Sequence, residues 1–338
     1  MELSTLVRGM GARSGLRPAP LSLGFELTHR CNLDCAYCDR HAPLPFEMTR
    51  EQIYRALTEL YELGMRHVSL DGGEPLLHRD VDEVVAFLVT RRVRVYMNSN
   101  GILVPRRRAT VRLLSKLKVS LDGPPEAHDR IRGAGAYDKA VRGALVAREL
   151  GTAVELTAVV GAHNLDCLDE LLDRAAELGL QVVFQPARNS LFLGSSRPGA
   201  PFQSEPDAVR RAFRLLEARK LAGHPAVGNR WSSLRHFREF PRDVRLPCAA
   251  GIINATLDPE GNLYHCGQVA RSGGQNVVRL GAKAAFENLV REGCTQCWCA
   301  RVVEENVAWG GAVHRMLPPL GVAEPGPKAG PRRLKVVA

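Results

Sequence analysis

The sequence predicts an α/β chain: parallel βαβ units first, then a smaller domain of different pattern. Strand-like and helix-spaced segments alternate about six times in the first ~190 residues, the pattern of a parallel sheet with helical crossovers. Beyond a Gly-, Pro- and Ser-rich stretch at Ser190–Phe202 the alternation gives way to a hairpin signal. The chemistry-bearing residues sit again and again just after a predicted strand, where parallel α/β folds carry their sites.

Leu21–Thr28 alternates as a strand and runs into Cys31. Thr49–Gly64 has helical spacing, with Thr49 placed to cap its start and Gly64 its end. His67–Asp71 is a strand leading to Gly72-Gly73. Val81–Arg91 is a helix, and Val93–Met97 a strand ending at Asn98-Ser99-Asn100-Gly101. Thr110–Lys116 reads as a helix and Leu117–Leu121 as a strand closed by Asp122-Gly123-Pro124. Tyr137–Leu150 and Leu168–Leu178 are helices, and Val154–Val160 and Gln181–Gln185 the last strands of the series. These units either close partly into a barrel or lie as an open doubly wound sheet. After the Gly/Pro stretch come a helix at Asp207–Leu221 and strands Ala255–Leu257 and Asn262–His265 around the turn Asp258-Pro259-Glu260-Gly261. A helix at Ala284–Glu292 follows. The organisation expected is a leader over 1–20, an α/β domain over 21–200 and a helical linker over 201–245. A small domain over 246–317 and a disordered basic tail over 318–338 complete it.

The 338 residues carry 46 Lys and Arg against 36 Asp and Glu, a net +10. The arginines are scattered, with no basic stripe interleaved with aromatics, which argues against a nucleic-acid partner. No apolar run approaches the ~20 residues of a membrane helix, and the N-terminus lacks the apolar core of a signal peptide. The expected location is the cytoplasm. Nine cysteines are present, three within Cys31–Cys38 and three within Cys294–Cys299. An odd, clustered set without a signal peptide speaks for metal or redox chemistry rather than disulfides. Cys167, in Asp166-Cys167-Leu168, reads as a buried thiol on an apolar helix face. Trp298 and Trp309 read equally as pocket-lining or as core.

Cys31-Asn-Leu-Asp-Cys35-Ala-Tyr-Cys38 has the spacing C-x3-C-x2-C. Three thiolates in one tight loop can hold three irons of a cubane and leave a fourth open. A zinc site, with His29 or His41 as fourth ligand, is the alternative. The C-x3-C-x-aromatic-C loop after a first strand resembles the signature of the radical S-adenosylmethionine (SAM) superfamily, and further motifs match. Gly72-Gly73-Glu74-Pro75 is similar to the family's GGEP turn. Ser120 and Asp122 after the fourth strand, Arg132 in Arg130-Ile131-Arg132-Gly133, Asn98 and Asn100, and Tyr37 beside the third cysteine fall at positions that contact SAM.

The resemblance implies a partial (β/α)6 TIM-like barrel with a [4Fe–4S] cluster on Cys31, Cys35 and Cys38. SAM would bind the open iron and be cleaved to a 5′-deoxyadenosyl radical that abstracts a hydrogen atom. It implies SAM contacts from Tyr37, Gly72, Gly73, Glu74, Pro75, Asn98, Ser120, Asp122 and Arg132. It also implies a flavodoxin- or ferredoxin-type electron donor. Cys248, Gly261 and Cys266, followed by Cys294, Cys297 and Cys299, resemble the small α+β twitch extension, a relative of the SPASM domain. That implies one auxiliary [4Fe–4S] cluster on Cys248, Cys266, Cys294 and Cys297. Cys299 is left as an alternative ligand, a hydrogen-atom donor near the substrate, or a bystander. The favoured substrate is a small polar metabolite undergoing oxidation, epimerisation or elimination. The alternatives are a peptide or protein being matured and, in another class, a non-catalytic iron–sulfur or zinc protein.

Overall fold

The computed structural model describes residue 9 and residues 18–38, 44, 46–187, 204–242, 246–267, 273–291 and 297–309. The Gly/Pro stretch at 190–202, Cys294 and the tail from 318 lie outside them, as does the leader but for residues 9 and 18–20.

Six strands run in parallel: β1 (Ser22–Thr28), β2 (His67–Gly72), β3 (Arg94–Ser99), β4 (Lys116–Ser120), β5 (Val154–Val160) and β6 (Val182–Pro186). They follow one another in chain order across the sheet. The crossovers carry α1 (Arg50–Leu63), α2 (Val81–Thr90), α3 (Arg108–Leu113), α4 (Pro125–Arg132), α5 (Ala136–Glu149) and α6 (Leu168–Glu177). This is the partial (β/α)6 barrel that the sequence implies. α7 (Pro206–Leu221) and α8 (Trp231–Phe237) come next, then β7 (Asn254–Leu257), β8 (Asn262–Tyr264) and β9 (Gln275–Asn276). α9 (Val277–Leu280), α10 (Ala282–Glu287) and α11 (Ala300–Trp309) complete the described chain.

β7 pairs in parallel with β1, and β8 and β9 extend it antiparallel, so the sheet has nine strands. The C-terminal segment thus adds directly to the open β1 edge of the barrel sheet. Such an edge presents unpaired backbone donors and acceptors, which β7 satisfies.

Strand alternation decides which side is core. Leu23, Phe25 and Leu27 of β1, Val68 and Leu70 of β2, Val95 and Met97 of β3, and Leu117 and Val119 of β4 point to the helices and are buried. They meet the apolar stripes of α1 (Ile53, Leu57, Leu60) and α2 (Val81, Val85, Leu88). The intervening positions are polar or small: Gly24, Glu26, Ser69, Asp71, Asn98, Lys118, Ser120 and Thr157. Register places Glu26 opposite Asp71, Asn98 opposite Lys118, and Lys118 opposite Glu155. A polar row therefore crosses β1 to β5 on the concave face.

Local capping matches the sequence at α1. Thr49 accepts from the Gln52 N–H while the Gln52 side chain accepts from the Thr49 N–H, a reciprocal capping box. Several helices depart from the sequence reading. α3 starts two residues earlier than expected and ends at Leu113, because Lys116 already belongs to β4. α4, entered through Pro125 at its first position, was not anticipated, and neither was α11. The helix expected over 284–292 is the shorter α10, separated from α9 by Gly281 at φ +78°. Cys167 does not lie on a helix face. It ends a 3₁₀ turn, is half-buried, and its thiol meets the Asn164 carbonyl at 3.5 Å. Trp298 is core, 4.7 Å from the His236 ring and 5.1 Å from Phe240. Trp309 packs on the small cluster of Ala19, Leu21, Ala249 and Ile253.

Candidate functional site

A cavity of about 280 Å³ opens at the C-terminal ends of the strands, on the concave polar face. Cys31, Cys35 and Cys38 form part of its wall, with Tyr37, Gly72, Gly73, Asn98, Asn100, Ser120, Arg132, Cys299 and Arg301. Cys35 is buried; Cys31 and Cys38 are half-buried.

The cysteine loop leaves β1 and is held from two sides. On one side lies the Gly72-Gly73 turn, where Gly73 N–H donates to the Thr28 carbonyl at 2.8 Å and Glu74 N–H to the Arg30 carbonyl at 2.9 Å. Gly72 has φ +112°, and a Cβ on it would stand 2.3 Å from the Thr28 carbonyl oxygen. A Cβ on Gly73 would stand 2.4 Å from that of Arg30. Both glycines are thus required by the chain's own close approach, besides lining the cavity. On the other side, the Ala36 N–H donates to the Ile131 carbonyl of α4 at 2.9 Å.

Glu74 is fully buried and turned away from the cavity. Its carboxylate accepts from the Leu76 N–H (3.2 Å), the Asn100 N–H (2.9 Å) and the Ser99 hydroxyl (3.0 and 3.1 Å). Burial pushes its carboxyl up to about 7 against those donors and Arg132. Pro75, also buried, opens the 3₁₀ turn Pro75–Leu77. Asn100 ties this network to the cysteines, its Nδ2 donating to Asn32 at 2.8 Å and lying 4.0 Å from Cys31 Sγ. Asn98 instead donates to Asp71.

Asp122 is fully buried. It accepts from Arg132 Nε at 2.7 Å, the Tyr37 hydroxyl at 3.0 Å and the Val159 N–H at 2.9 Å. Burial alone would raise its carboxyl, but Arg132, His163, His128 and the Val159 N–H outweigh it and hold it at about 2. Arg132 also donates through Nη2 to the Tyr37 hydroxyl and through Nη1 to Cys35 Sγ at 3.8 Å. Ser120 lines the cavity at the end of β4.

Sequence reasoning missed the floor of this cavity. Glu26, Asp71, Lys118 and Arg301 line it. Burial raises the Asp71 carboxyl, and Arg301, Asn98 and Lys118 oppose that. Arg301, at the start of α11, bonds Glu305 at 3.1 Å. The strand residues could have been found from their alternation, since a strand covered on both faces would read as continuously apolar. Arg301 carried no such signal.

The second cysteine group is partly described. Cys248 is exposed, and Cys266, Cys297 and Cys299 are half-buried. Cys266 and Cys299 both lie close enough to Arg301 to favour its charge. Cys299 faces the cavity, while Cys297 Sγ accepts from Asn306 Nδ2 at 3.7 Å.

The donor set at the first loop suits an iron–sulfur cluster. Burial raises the Cys31 thiol and pushes that of Cys35 up to about 11; neighbouring thiolates add to both shifts. A cationic iron centre reverses that penalty. Among the described residues no three His, Cys, Asp or Glu side chains stand at single-ion spacing.

A parallel barrel with a three-cysteine loop and a GGEP turn at its mouth defines an iron–sulfur, SAM-type enzyme scaffold. Residues 25–175 match the sequence profile of the Radical SAM superfamily, and this part of the chain is a radical SAM domain. It is 33% identical over 259 residues to the mycofactocin maturase MftC of Mycolicibacterium smegmatis, covering 73% of this chain and 64% of that protein. It is 28% identical over 262 residues to a PqqA peptide cyclase of Streptomyces rochei, covering 73% and 69%. The match to a probable GTP 3′,8-cyclase of Methanosarcina mazei is 35% over 165 residues and covers 45% of this chain and 49% of that protein. The solved structure of anSMEcpe with bound AdoMet has the same fold, with TM-score 0.63 and 18% identity over 80% of this chain and 81% of that one. The chain spans about 64% of the length of the mycofactocin maturase.

Proposed function

We propose that this chain is a radical SAM maturase acting on a peptide. One observation carries the reading. Similarity to the mycofactocin maturase and to the S. rochei PqqA peptide cyclase runs over 73% of the chain, past the barrel, whereas similarity to the nucleotide cyclase covers only 45%. The likeness to proteins named for maturation and peptide cyclisation thus takes in more of the chain than the barrel alone fills. This supports a peptide over the small polar metabolite that the sequence favoured.

When bound, the cluster and SAM supply one-electron cleavage of SAM and a hydrogen-abstracting radical. Cys31, Cys35 and Cys38 would hold the cluster. Gly72, Gly73, Asn98 and Ser120, on the cavity wall, would meet SAM, while Glu74 and Pro75 shape the turn behind them. The strand walls restrict water around the reacting atoms. Glu26, Asp71, Lys118 and Arg301 orient the polar part of the substrate. Cys266 and Cys299 with Cys248, Cys294 and Cys297 form the ligand pool of one auxiliary cluster. The chain would work in the cytoplasm with a low-potential electron donor; among its described residues no helix is long and apolar enough to cross a membrane.

The test is anaerobic reconstitution, iron analysis, and assay with SAM and dithionite. Peptides encoded beside the gene would be co-expressed and weighed by mass spectrometry. A peptide mass change that disappears in Cys38→Ala, with about eight irons per chain, is the expected result. Stimulation of 5′-deoxyadenosine formation by a metabolite fraction and by none of the peptides overturns the peptide reading.

A further inference from the structure

Arg132 is turned toward the protein on three sides. Its Nε is 2.7 Å from Asp122 Oδ2, its Nη2 donates to the Tyr37 hydroxyl, and its Nη1 lies 3.8 Å from Cys35 Sγ. The side chain is 10% exposed and that of Asp122 0%. Asp122 is itself fixed on every polar atom. Its second oxygen accepts from the Val159 N–H, its own N–H donates to His128 Nδ1 at 3.0 Å, and its carbonyl accepts from Asn164 Nδ2 at 2.6 Å. The cysteine loop is tied to the same helix a second time, through Ala36 N–H and the Ile131 carbonyl. An arginine oriented only for a ligand would not need this scaffold.

We infer that Arg132 is a positioning residue for the iron–sulfur centre: with Asp122 it clamps Tyr37 and Cys35, and its N–H on the cysteine sulfur raises the reduction potential of the cluster held there. The inference rests on the three-cysteine loop holding a cluster, and is independent of the peptide reading. Hydrogen bonds to sulfur and local charge are levers on such potentials. One electron, taken from a flavodoxin- or ferredoxin-type donor, adds one negative charge to the cluster. A buried guanidinium donating to a ligand sulfur stabilises that reduced form. Asp122 acts in the opposite sense, since it offsets the guanidinium charge. Removing the cation and removing its counter-charge therefore move the potential in opposite directions, which a purely structural role does not predict.

The experiment is a redox titration of the reconstituted, SAM-free protein followed by electron paramagnetic resonance, with SAM affinity measured in parallel. The iron content of the wild type and its loss in Cys35→Ala establish the cluster first; without them the cluster reading itself fails. At the wild-type midpoint, Arg132→Gln should lower the reduced-to-oxidised ratio about tenfold, a shift of about 59 mV for a one-electron couple. Asp122→Asn should raise it. An unchanged midpoint in Arg132→Gln together with a tenfold or greater loss of SAM affinity overturns the inference and makes Arg132 a SAM ligand. If Arg132→Gln does not load iron, Arg132→Lys and Tyr37→Phe replace it. A lowered midpoint in either supports the clamp, and wild-type midpoints in both overturn it.

Discussion

The hydroxyl of Ser99 stands 3.0 and 3.1 Å from the two carboxylate oxygens of Glu74, so the end of β3 is fastened to the turn that follows β2. The acid of the GGEP turn is thus a strut between neighbouring strand ends. It fixes where Gly72, Gly73 and Asn100 meet the cysteine loop.

That strut titrates near neutrality. Its folded carboxyl is raised from 4.5 to about 7, so the folded state holds the proton more tightly than the unfolded chain does. The stabilisation is complete below about pH 4.5 and is lost as pH rises through 7, a change on the order of 3 kcal/mol. Glu74→Gln should abolish this slope while costing about 1–2 kcal/mol at pH 5, where one amide hydrogen faces a donor. Denaturant unfolding of the iron-free protein at pH 5, 6, 7 and 8 measures it. Parallel stability curves for both proteins would remove Glu74 as the titrating group.

Gly73→Ala is expected to cost about 3 kcal/mol or more, since both obstructing atoms, the Arg30 and His29 carbonyl oxygens at 2.4 and 2.7 Å, are backbone and cannot swing aside. Gly151→Ala is the control: unlike Gly73 it has positive φ, +81°, and nothing stands within 4 Å of its Cβ, so only conformational strain of about 1 kcal/mol applies. Thermal melts of the two variants should separate clearly. A larger loss at Gly151 would show that the close approach at Gly73 costs less than backbone strain and is relieved by movement of the cysteine loop.

These cases mark what sequence could and could not convey. The cysteine spacing and the two glycines are local patterns, and they located the mouth of the barrel. The direction of the Glu74 side chain depends on Ser99, 25 residues away, and no spacing rule encodes it. α4 escaped notice because Pro124-Pro125 reads as a turn, although proline suits a first helical position. Its absence hid the fact that Arg132 ends a helix facing Cys35. The floor of the cavity was half legible, through polar residues at every second strand position. Arg301 was not, because its placement depends on how α11 packs.

α11 is itself anchored by Glu304. Its carboxylate accepts from the Ser232 hydroxyl at 2.6 Å, the Ser233 N–H at 3.1 Å and the Ser233 hydroxyl, at the start of α8. Glu304→Ala leaves these buried donors without an acceptor and should destabilise by about 2–3 kcal/mol. Because α11 carries Cys299 and Arg301, product formation should fall more than the melting temperature alone explains. Hydrogen exchange across 300–309 would reveal the loosening. Unchanged exchange there, with a full stability loss, would put the effect in α8 alone.

Gly24 and Arg301 meet where α11 crosses β1. A Cβ on Gly24 would stand 3.2 Å from Arg301 Nη2 and 3.5 Å from Thr256 Oγ1. The nearer atom is the end of a long flexible side chain, so Gly24→Ala should cost under about 1 kcal/mol as the guanidinium gives way by a few tenths of an ångström. Gly24→Leu fills the space the guanidinium occupies. It should push Arg301 off Glu305 and away from Asp71, leaving partly buried acids without their cation at a cost of about 2–3 kcal/mol. Arg301→Met in the Gly24→Leu background then separates the two contributions. With the cation gone, the leucine no longer displaces it, so the double variant should lose less than the sum of the two single changes. Stabilities that simply add would mean that Gly24 and Arg301 do not share this space, and the floor of the cavity would have to be redrawn without α11.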